Sequence, residues 1–250
     1  MAEEPRLVCF MCNFTFCRNA IDMPAYVNVA RVNCIGRLDP ATIIETFERG
    51  ADGVMLVGCK PPDCHYVEGN LQAERVVKMV GKLLNLAGVE SERLKIFWVS
   101  PLEEKDFSRL VKNFSKEVAK FGPLPLGNRK YDAKLSTNIL AAKDAVNGFR
   151  LRVLLGREKE LTESVNVYGE KISDENFDAL LDDVVREEYT RYKIHQLTRS
   201  GSLSVKELAK EIGITPDEVL KQIVEMRRKN MIQFDCLEGQ TPLYKALKVA

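Results

Sequence analysis

Short apolar runs alternate with segments of helical periodicity through the first half of this sequence, and this alternation constrains the fold more than any other feature. Strand-like apolar runs cover residues 7–12, 53–58 and 94–99, residues 27–32 alternate apolar and other residues, and the helical segments cover residues 39–49, 69–87 and 103–121. Strands that alternate with helices form a mainly parallel sheet with helical crossovers. We therefore predict an α/β fold, with a small doubly wound, mainly parallel sheet in residues 1–122.

The second half changes character after the linker-like run that begins at Gly122 (GPLPLGNR). Helical patterns cover residues 134–155, as one helix, and residues 173–194. Two further helices, in residues 203–212 and 216–230, meet at a tight turn at Gly213, and a hairpin pattern follows them. This order is typical of a winged helix. We predict a helical region in residues 123–185 and a winged-helix-like module in residues 186–250, whose second helix has Val219, Ile223, Val224 and Met226 as its core side.

Cysteine is concentrated in the predicted sheet domain. Of the seven cysteines in the chain, all but Cys236 lie within its first 64 residues. Cys12, Cys34 and Cys59 each fall at or just beyond the end of a predicted strand, and Cys17 and Cys64 follow in the adjoining loops. Because parallel strands present their carboxyl ends at one edge of a sheet, where ligands bind, we predict that these five thiols form one pocket.

The residues alone leave several chemistries open for this pocket. Iron–sulfur clusters need thiolates, usually four, but four thiolates also suit a closed tetrahedral zinc site. A thiol–disulfide site is a weaker alternative because the sequence has no C-x-x-C pair. Free cysteine is often a small buried residue, which is the interpretation that we adopt for Cys9 and Cys236. His65 is interpreted as a ligand, as a hydrogen-bond donor to the site or as a cap of the following helix.

Several other functions are disfavoured by composition and motif content. The formal net charge of +1 gives no reason to expect nucleic acid or an anionic membrane as the main partner. No dinucleotide fingerprint, phosphate-binding loop or catalytic triad is present. The N-terminus lacks a secretory pattern and no apolar run is long enough to span a membrane, so we expect a cytoplasmic protein.

Four pieces of the first half together carry a family resemblance. They are Cys12-Asn13, residues 31–40 (RVNCIGRLDP), residues 50–66 (GADGVMLVGCKPPDCHY) and Gly69-Asn70. In these pieces the sequence resembles the delta, iron–sulfur subunit of methyl-viologen-reducing hydrogenase, a family that accompanies heterodisulfide reductase in methanogens and other anaerobes. The resemblance implies a [2Fe–2S] cluster that carries single electrons, with no substrate site in this chain.

The resemblance also implies partners and ligands. The partners would be an electron-donating hydrogenase or formate dehydrogenase and the flavoprotein subunit of a heterodisulfide-reductase-type, electron-bifurcating complex. Cys12, Cys34, Cys59 and Cys64 match family cysteines and are the expected ligands, and Cys17 is an exchangeable candidate.

This sequence departs from the family pattern in two places. Where the family usually has Cys-Asn-Trp-Cys, Thr15 stands at the second cysteine position and Cys17 follows two residues later. Lys60 stands where the family commonly has histidine, and its positive charge is expected to raise the potential of the cluster.

The winged-helix-like tail lies outside the part of the chain that carries the resemblance. Its second helix has basic residues mainly at the C-terminal end, whereas helices of this kind usually contact DNA with their N-terminal end. We therefore favour protein docking over DNA binding for the tail. The alternatives to an electron-transfer subunit are a redox- or metal-responsive DNA-binding regulator and a zinc-stapled docking protein.

Overall fold

A computed structural model describes residues 4–15, 23–100, 104–128 and 131–247. The chain divides into two compact units, Met1–Ile139 and Leu140–Ala250. The division into three parts that the sequence suggests stays a prediction. No helix among the described residues is long and apolar enough to cross a membrane.

The first unit contains the predicted parallel sheet. Its strands are β1 (Leu7–Cys12), β2 (Val27–Val32), β3 (Gly53–Cys59) and β4 (Leu94–Val99). They pair in the order β2-β1-β3-β4, and every pairing is parallel. The chain therefore runs outward from β1 to β2 and crosses back to β3, which creates a topological switch point between β1 and β3. The predicted α/β class is confirmed.

Helices cover both faces of this sheet. They are α1 (Pro40–Glu48), α2 (Gly69–Ala87) and α3 (Glu104–Phe121). One face of β1 and β3, including Cys9, Met11 and Met55, packs against the apolar stripe of α3. The alternate residues of the same strands are also buried, and α1 and α2 contact β3, β4 and each other. Strands buried on both faces explain the nearly continuous apolar runs of the sequence.

A buried carboxylate fixes the amino end of the sheet. Asp52 is fully buried, and its two carboxylate oxygens accept hydrogen bonds from the backbone N–H groups of Arg6 and Leu124, each at 2.8 Å. The guanidinium of Arg93 donates to the Asp52 carbonyl at 3.0 Å and to Glu90 at 2.6 Å. These bonds tie the start of β1 and the segment after α3 to the start of β3.

The second unit begins with helices and differs from prediction at Gly148. The helices are α4 (Ala133–Asn147), whose first turns belong to the first unit, α5 (Phe149–Glu163) and α6 (Asp174–Leu197). The single helix predicted for residues 134–155 is wrong, because Gly148 is extended, with φ −63° and ψ 143°, and starts α5 as its N-cap. A Cβ at Gly148 would lie 2.9 Å from the Ala145 carbonyl oxygen, so this junction needs a residue without a side chain.

The predicted winged-helix pattern is confirmed. The short strand β5 (Leu203–Ser204) precedes α7 (Val205–Ile212) and α8 (Pro216–Arg228), and β6 (Ile232–Glu238) and β7 (Thr241–Ala246) complete an antiparallel sheet in the order β5-β7-β6. Ser204 and Thr215 start α7 and α8 with capping boxes, and Gly213 ends α7 with φ +83°.

Two residues of this module lie elsewhere than predicted. Val224 is 44% exposed rather than part of the core, because Val219, Ile223 and Met226 already fill the buried side of α8. Cys236, predicted to be buried, is exposed on β6, which forms an edge of the small sheet.

Candidate metal centre

The switch point of the sheet carries the first two thiols of the predicted pocket. Cys12 is the last residue of β1 and Cys59 is the last residue of β3, and these strands are neighbours. Their sulfur atoms lie 3.9 Å apart, and the Cys12 thiol donates to the Asn33 carbonyl oxygen at 3.3 Å. Both side chains are buried. The sheet topology therefore brings together two thiols that are 47 residues apart in sequence.

The other two thiols meet at the first residue of α2. Cys34 follows β2 and precedes a short 3-10 helix, Ile35–Arg37, whereas Cys64 lies in the exposed loop between β3 and α2. A Cβ atom at Gly69 would lie 2.4 Å from the sulfur of Cys34 and 3.2 Å from that of Cys64. Both sulfurs therefore pack against the bare Cα of Gly69 and lie near each other.

A second close approach holds this arrangement in place. A Cβ at Gly36 would lie 2.1 Å from the Gly69 carbonyl oxygen, so the short 3-10 helix and the start of α2 are in backbone contact. Gly58 lies equally tightly between Ile35 and Trp98, where a Cβ would be 2.5 Å and 2.7 Å from their side chains. Glycine is thus required at position 36 because two backbone segments touch there, and it is favoured at position 58 because the Ile35 and Trp98 side chains fill the space of a Cβ.

The thiols influence one another electrostatically. Burial raises the pKa of Cys12 to about 11, a backbone N–H lowers it, and the nearby Cys59 and Cys34 sulfurs raise it further. Burial also raises the pKa of Cys34, and Cys64 and Cys59 add to the effect. Thiols in this state are neutral at pH 7, so a metal that binds here must displace protons.

The donor set fits a metal held by thiolates. In a tetrahedral site with metal–sulfur bonds of about 2.3 Å, two sulfurs on one metal are about 3.8 Å apart. The Cys12–Cys59 distance of 3.9 Å already matches this value. Among the residues that the structure describes, no three His, Cys, Asp or Glu side chains surround one point closely enough to hold a single ion. Cys12 and Cys59 thus form one close pair, and Cys34 and Cys64 both lie beside Gly69.

The remaining cysteines have different surroundings. Cys9 is fully buried in the apolar face of the sheet, as predicted, and burial raises its pKa to about 12. Cys17 lies outside the described residues, so its predicted place in the pocket stays a prediction. Cys236 belongs to the other unit.

Thr15, which stands at the second cysteine position of the family pattern, closes the turn after β1. Its side chain is 1% exposed, and its hydroxyl donates to the Cys12 carbonyl oxygen at 2.7 Å. The Arg31 guanidinium donates to the same oxygen at 3.3 Å. Thr15 and Arg31 thus fix the backbone of Cys12.

Three aromatic rings next to the pocket are not expected from the sequence. The rings of Phe14 and His65 stack with centroids 3.6 Å apart, and Tyr66 contacts both edge-on. His65 does not cap α2, because Glu68 occupies that position and makes no side-chain cap. The proximity of Phe14 and Tyr66 to cysteines in the sequence is the one available signal for this cluster, and it gives no information about stacking.

Known proteins match the unit that carries these thiols. The profile of the family described as methyl-viologen-reducing hydrogenase, delta subunit, matches residues 7–122. An iron–sulfur subunit of the F420-non-reducing hydrogenase of Archaeoglobus profundus is 41% identical in an alignment 128 residues long that covers 48% of this chain and 93% of the relative. The corresponding iron–sulfur subunit of the vhc hydrogenase of Methanococcus voltae is 36% identical in an alignment 135 residues long that covers 50% of this chain and 94% of the relative.

A third relative is much longer than the matched segment. This relative is a subunit of the ferredoxin:CoB-CoM heterodisulfide reductase of Methanosarcina mazei. It is 32% identical in an alignment 130 residues long that covers 49% of this chain and 16% of that protein. The matching unit thus occurs both as a small separate protein and as a segment of a large chain. Through its first unit, this chain belongs to the methyl-viologen-reducing hydrogenase delta subunit family.

Proposed function

We propose that this chain is an electron-transfer subunit whose first unit holds a [2Fe–2S] cluster on Cys12, Cys34, Cys59 and Cys64. It passes electrons between an electron-donating enzyme, of the hydrogenase or formate dehydrogenase type, and the flavoprotein subunit of a heterodisulfide-reductase-type complex. The observation that carries the proposal is the gathering of four thiols from three chain segments at the carboxyl edge of the parallel sheet.

The arrangement of the thiols in pairs supports two irons rather than one zinc. A closed zinc site needs four ligands around one point, whereas a [2Fe–2S] cluster needs two thiolates at each of two irons. The Cys12–Cys59 pair and the Cys34–Cys64 pair suit the second requirement. The hydrogenase relatives are named as iron–sulfur subunits, which supports the same choice.

The partners are supported by the relatives. The short relatives are named as parts of hydrogenases, and in Methanosarcina mazei a similar unit is a segment of a heterodisulfide reductase chain. A covalent connection in one organism supports an association between separate chains in another. Formate dehydrogenase as the donor rests on the family resemblance, and the cytoplasmic location stays a prediction.

The cluster supplies one-electron chemistry, and the protein residues keep the site dry and shaped. Cys12 and Cys59 are buried, and Thr15 and Arg31 hold the Cys12 carbonyl. Cys64 lies in an exposed loop, so a cluster held by these four thiols would be separated from solvent by only a short layer of protein.

Anaerobic purification, followed by iron, zinc and acid-labile sulfide analysis, tests the proposal. About two irons and two sulfides per chain, with a spin-half paramagnetic resonance signal after dithionite reduction, are expected. About one zinc without sulfide would contradict the proposal and leave a zinc-stapled docking protein.

Single cysteine variants test the ligand set. Replacing Cys12, Cys34, Cys59 or Cys64 by alanine should remove most of the iron and sulfide. Two control variants should retain both: Cys236→Ser, which changes an exposed thiol in the other unit, and Cys9→Ala, which changes a core residue away from the sheet edge. Loss of iron in the controls alone would contradict the ligand assignment.

For the winged-helix module we propose protein docking. The exposed side of α8 carries Leu220 and Val224 beside Asp217 and Glu225, and the first turn of α8 is acidic. The basic residues Arg227 and Arg228 lie in the last turn of α8, whereas helices of this kind contact DNA with their N-terminal end, so the arrangement disfavours DNA. A band shift of duplex DNA at low salt that disappears at high salt would contradict docking as the role of the module and favour a regulator.

A further inference from the structure

We propose that the four thiols act as two unequal pairs, in which Cys12 and Cys59 hold a buried iron and Cys34 and Cys64 hold the iron that accepts the electron. The inference rests on the proposed cluster, but the thiol pairing can be tested without it. It adds to the proposed function which thiols share an iron and which of the two irons accepts the electron.

The pairing follows from the distances. The sulfurs of Cys12 and Cys59 are 3.9 Å apart at the ends of adjacent strands. Cys34 and Cys64 meet instead over Gly69, at the start of α2.

The two pairs differ in contact with solvent through Cys64. Cys12, Cys34 and Cys59 are 2%, 4% and 9% exposed, so all three are buried. Cys64 is only partly buried, and its neighbours in the loop, Lys60 to Asp63 and His65 to Val67, are exposed. A surface cavity of about 250 Å³, lined by Cys34, Arg37 and Tyr66 among others, opens beside the second pair.

Reduction adds negative charge, so it is favoured at the iron whose surroundings best stabilise that charge. The second pair lies at the N-terminal end of the 19-residue helix α2, where the helix dipole is positive. The exposed Arg37 lines the cavity beside it, together with Asp39, which opposes its charge in part. Arg31 and Lys60 lie near the first pair, but Arg31 binds the Cys12 carbonyl oxygen, Lys60 is exposed, and burial disfavours extra charge there.

The pairing is tested on metal-free protein that carries Cys9→Ala and Cys236→Ser to limit exchange. Diamide removes two electrons and two protons from each pair of neighbouring thiols and becomes the hydrazine, and mass spectrometry identifies the disulfides. Bridges between Cys12 and Cys59 and between Cys34 and Cys64 are expected. A Cys12–Cys34 bridge, a Cys59–Cys64 bridge or any bridge from Cys17 to these four would overturn the pairing.

The position of the reducible iron is tested by Mössbauer spectroscopy of dithionite-reduced, 57Fe-loaded Cys64→Ser and Cys59→Ser variants. The serine oxygen should change the ferrous doublet in Cys64→Ser and only the ferric component in Cys59→Ser. The opposite pattern would overturn the assignment of the reducible iron.

A second measurement tests the position of the reducible iron if the serine variants do not bind a cluster. Arg37→Gln and Arg31→Gln retain all four thiols, and Arg37→Gln should lower the reduction potential more than Arg31→Gln. An equal or larger effect of Arg31→Gln would overturn the assignment. Wild-type protein without iron would instead refute the proposed cluster, while the diamide experiment would still decide the pairing.

Discussion

Replacing Gly69 by alanine should damage the thiol pocket far more than it damages the fold. Its new Cβ would lie 2.4 Å from the Cys34 sulfur, whereas nonbonded heavy atoms settle at about 3.5–4.0 Å. The sulfur must therefore move by about 1 Å, and metal–ligand distances tolerate only about 0.2 Å. Gly69 is the first residue of α2, so alanine is compatible with the backbone.

Overpacking of this kind costs about 1–3 kcal/mol. If that cost falls on the loaded site, cluster retention drops about 5- to 150-fold, since about 1.4 kcal/mol corresponds to a factor of ten. The assay is iron and sulfide content after anaerobic gel filtration in a mild chelator, with circular dichroism as the measure of folding.

Gly81→Ala is the matched control. Gly81 lies in the same helix and is buried, but a Cβ there would meet its nearest neighbour, the Ser91 Cβ, at an ordinary 3.6 Å. This variant should keep its iron and gain about 0.5–1 kcal/mol, because glycine is unfavourable inside helices. The packing argument would be refuted if Gly69→Ala retained as much iron and sulfide as the wild-type protein while Gly81→Ala behaved as stated.

Three further predictions concern stability and potential. Asp52→Ala should destabilise the protein by about 3–5 kcal/mol in urea unfolding, because two buried N–H groups lose their acceptor, whereas Asp39→Ala at the exposed cap of α1 should cost about 1 kcal/mol. The folded-state pKa values of Cys9 and Cys12 are raised to about 12 and about 11. The stability that these neutral thiols give the folded state is therefore fully present below pH 9 and is lost as the pH rises above it. The unfolding free energy of metal-free protein should therefore fall by up to about 1.4 kcal/mol per pH unit and thiol above pH 9, and a smaller fall in Cys9→Ala is the check. Lys60→Gln should lower the reduction potential by on the order of tens of millivolts in a dye-mediated titration, and an unchanged potential would contradict a charge effect.

Most of the sheet can be predicted from the sequence because β1, β3 and β4 are apolar runs and β2 alternates apolar and other residues; Gly53 and Gly88 also mark the chain near β3 and β4. Burial on both faces makes the runs of β1 and β3 nearly continuous, so their bounds are sharp. Gly148 does not stand out as a break because one glycine within a helical pattern is compatible with a helix, and only its extended backbone reveals the junction.

The site is only partly predictable because its geometry depends on how the elements pack together. Strand ends predict which thiols converge, but not that Cys12 lies 3.9 Å from Cys59 while Cys34 and Cys64 lie beside Gly69, since that depends on the position of α2. The role of Asp52 escapes prediction because its partners, Arg6 and Leu124, are distant in sequence. The prediction that Cys236 is buried is wrong because its edge position on β6 depends on strand order.

The two ends of the parallel sheet are held by different kinds of bond. At the amino end, Asp52 and Arg93 form permanent protein hydrogen bonds. At the carboxyl end the backbone closes around sulfurs that hold each other only weakly without metal. Amide hydrogen exchange should therefore form a gradient along each central strand of the metal-free protein, slow near Leu7 and fast near Cys12. Cluster binding would reduce this difference in exchange rate, so the exchange rates along the central strands would show whether the carboxyl edge of the sheet is occupied.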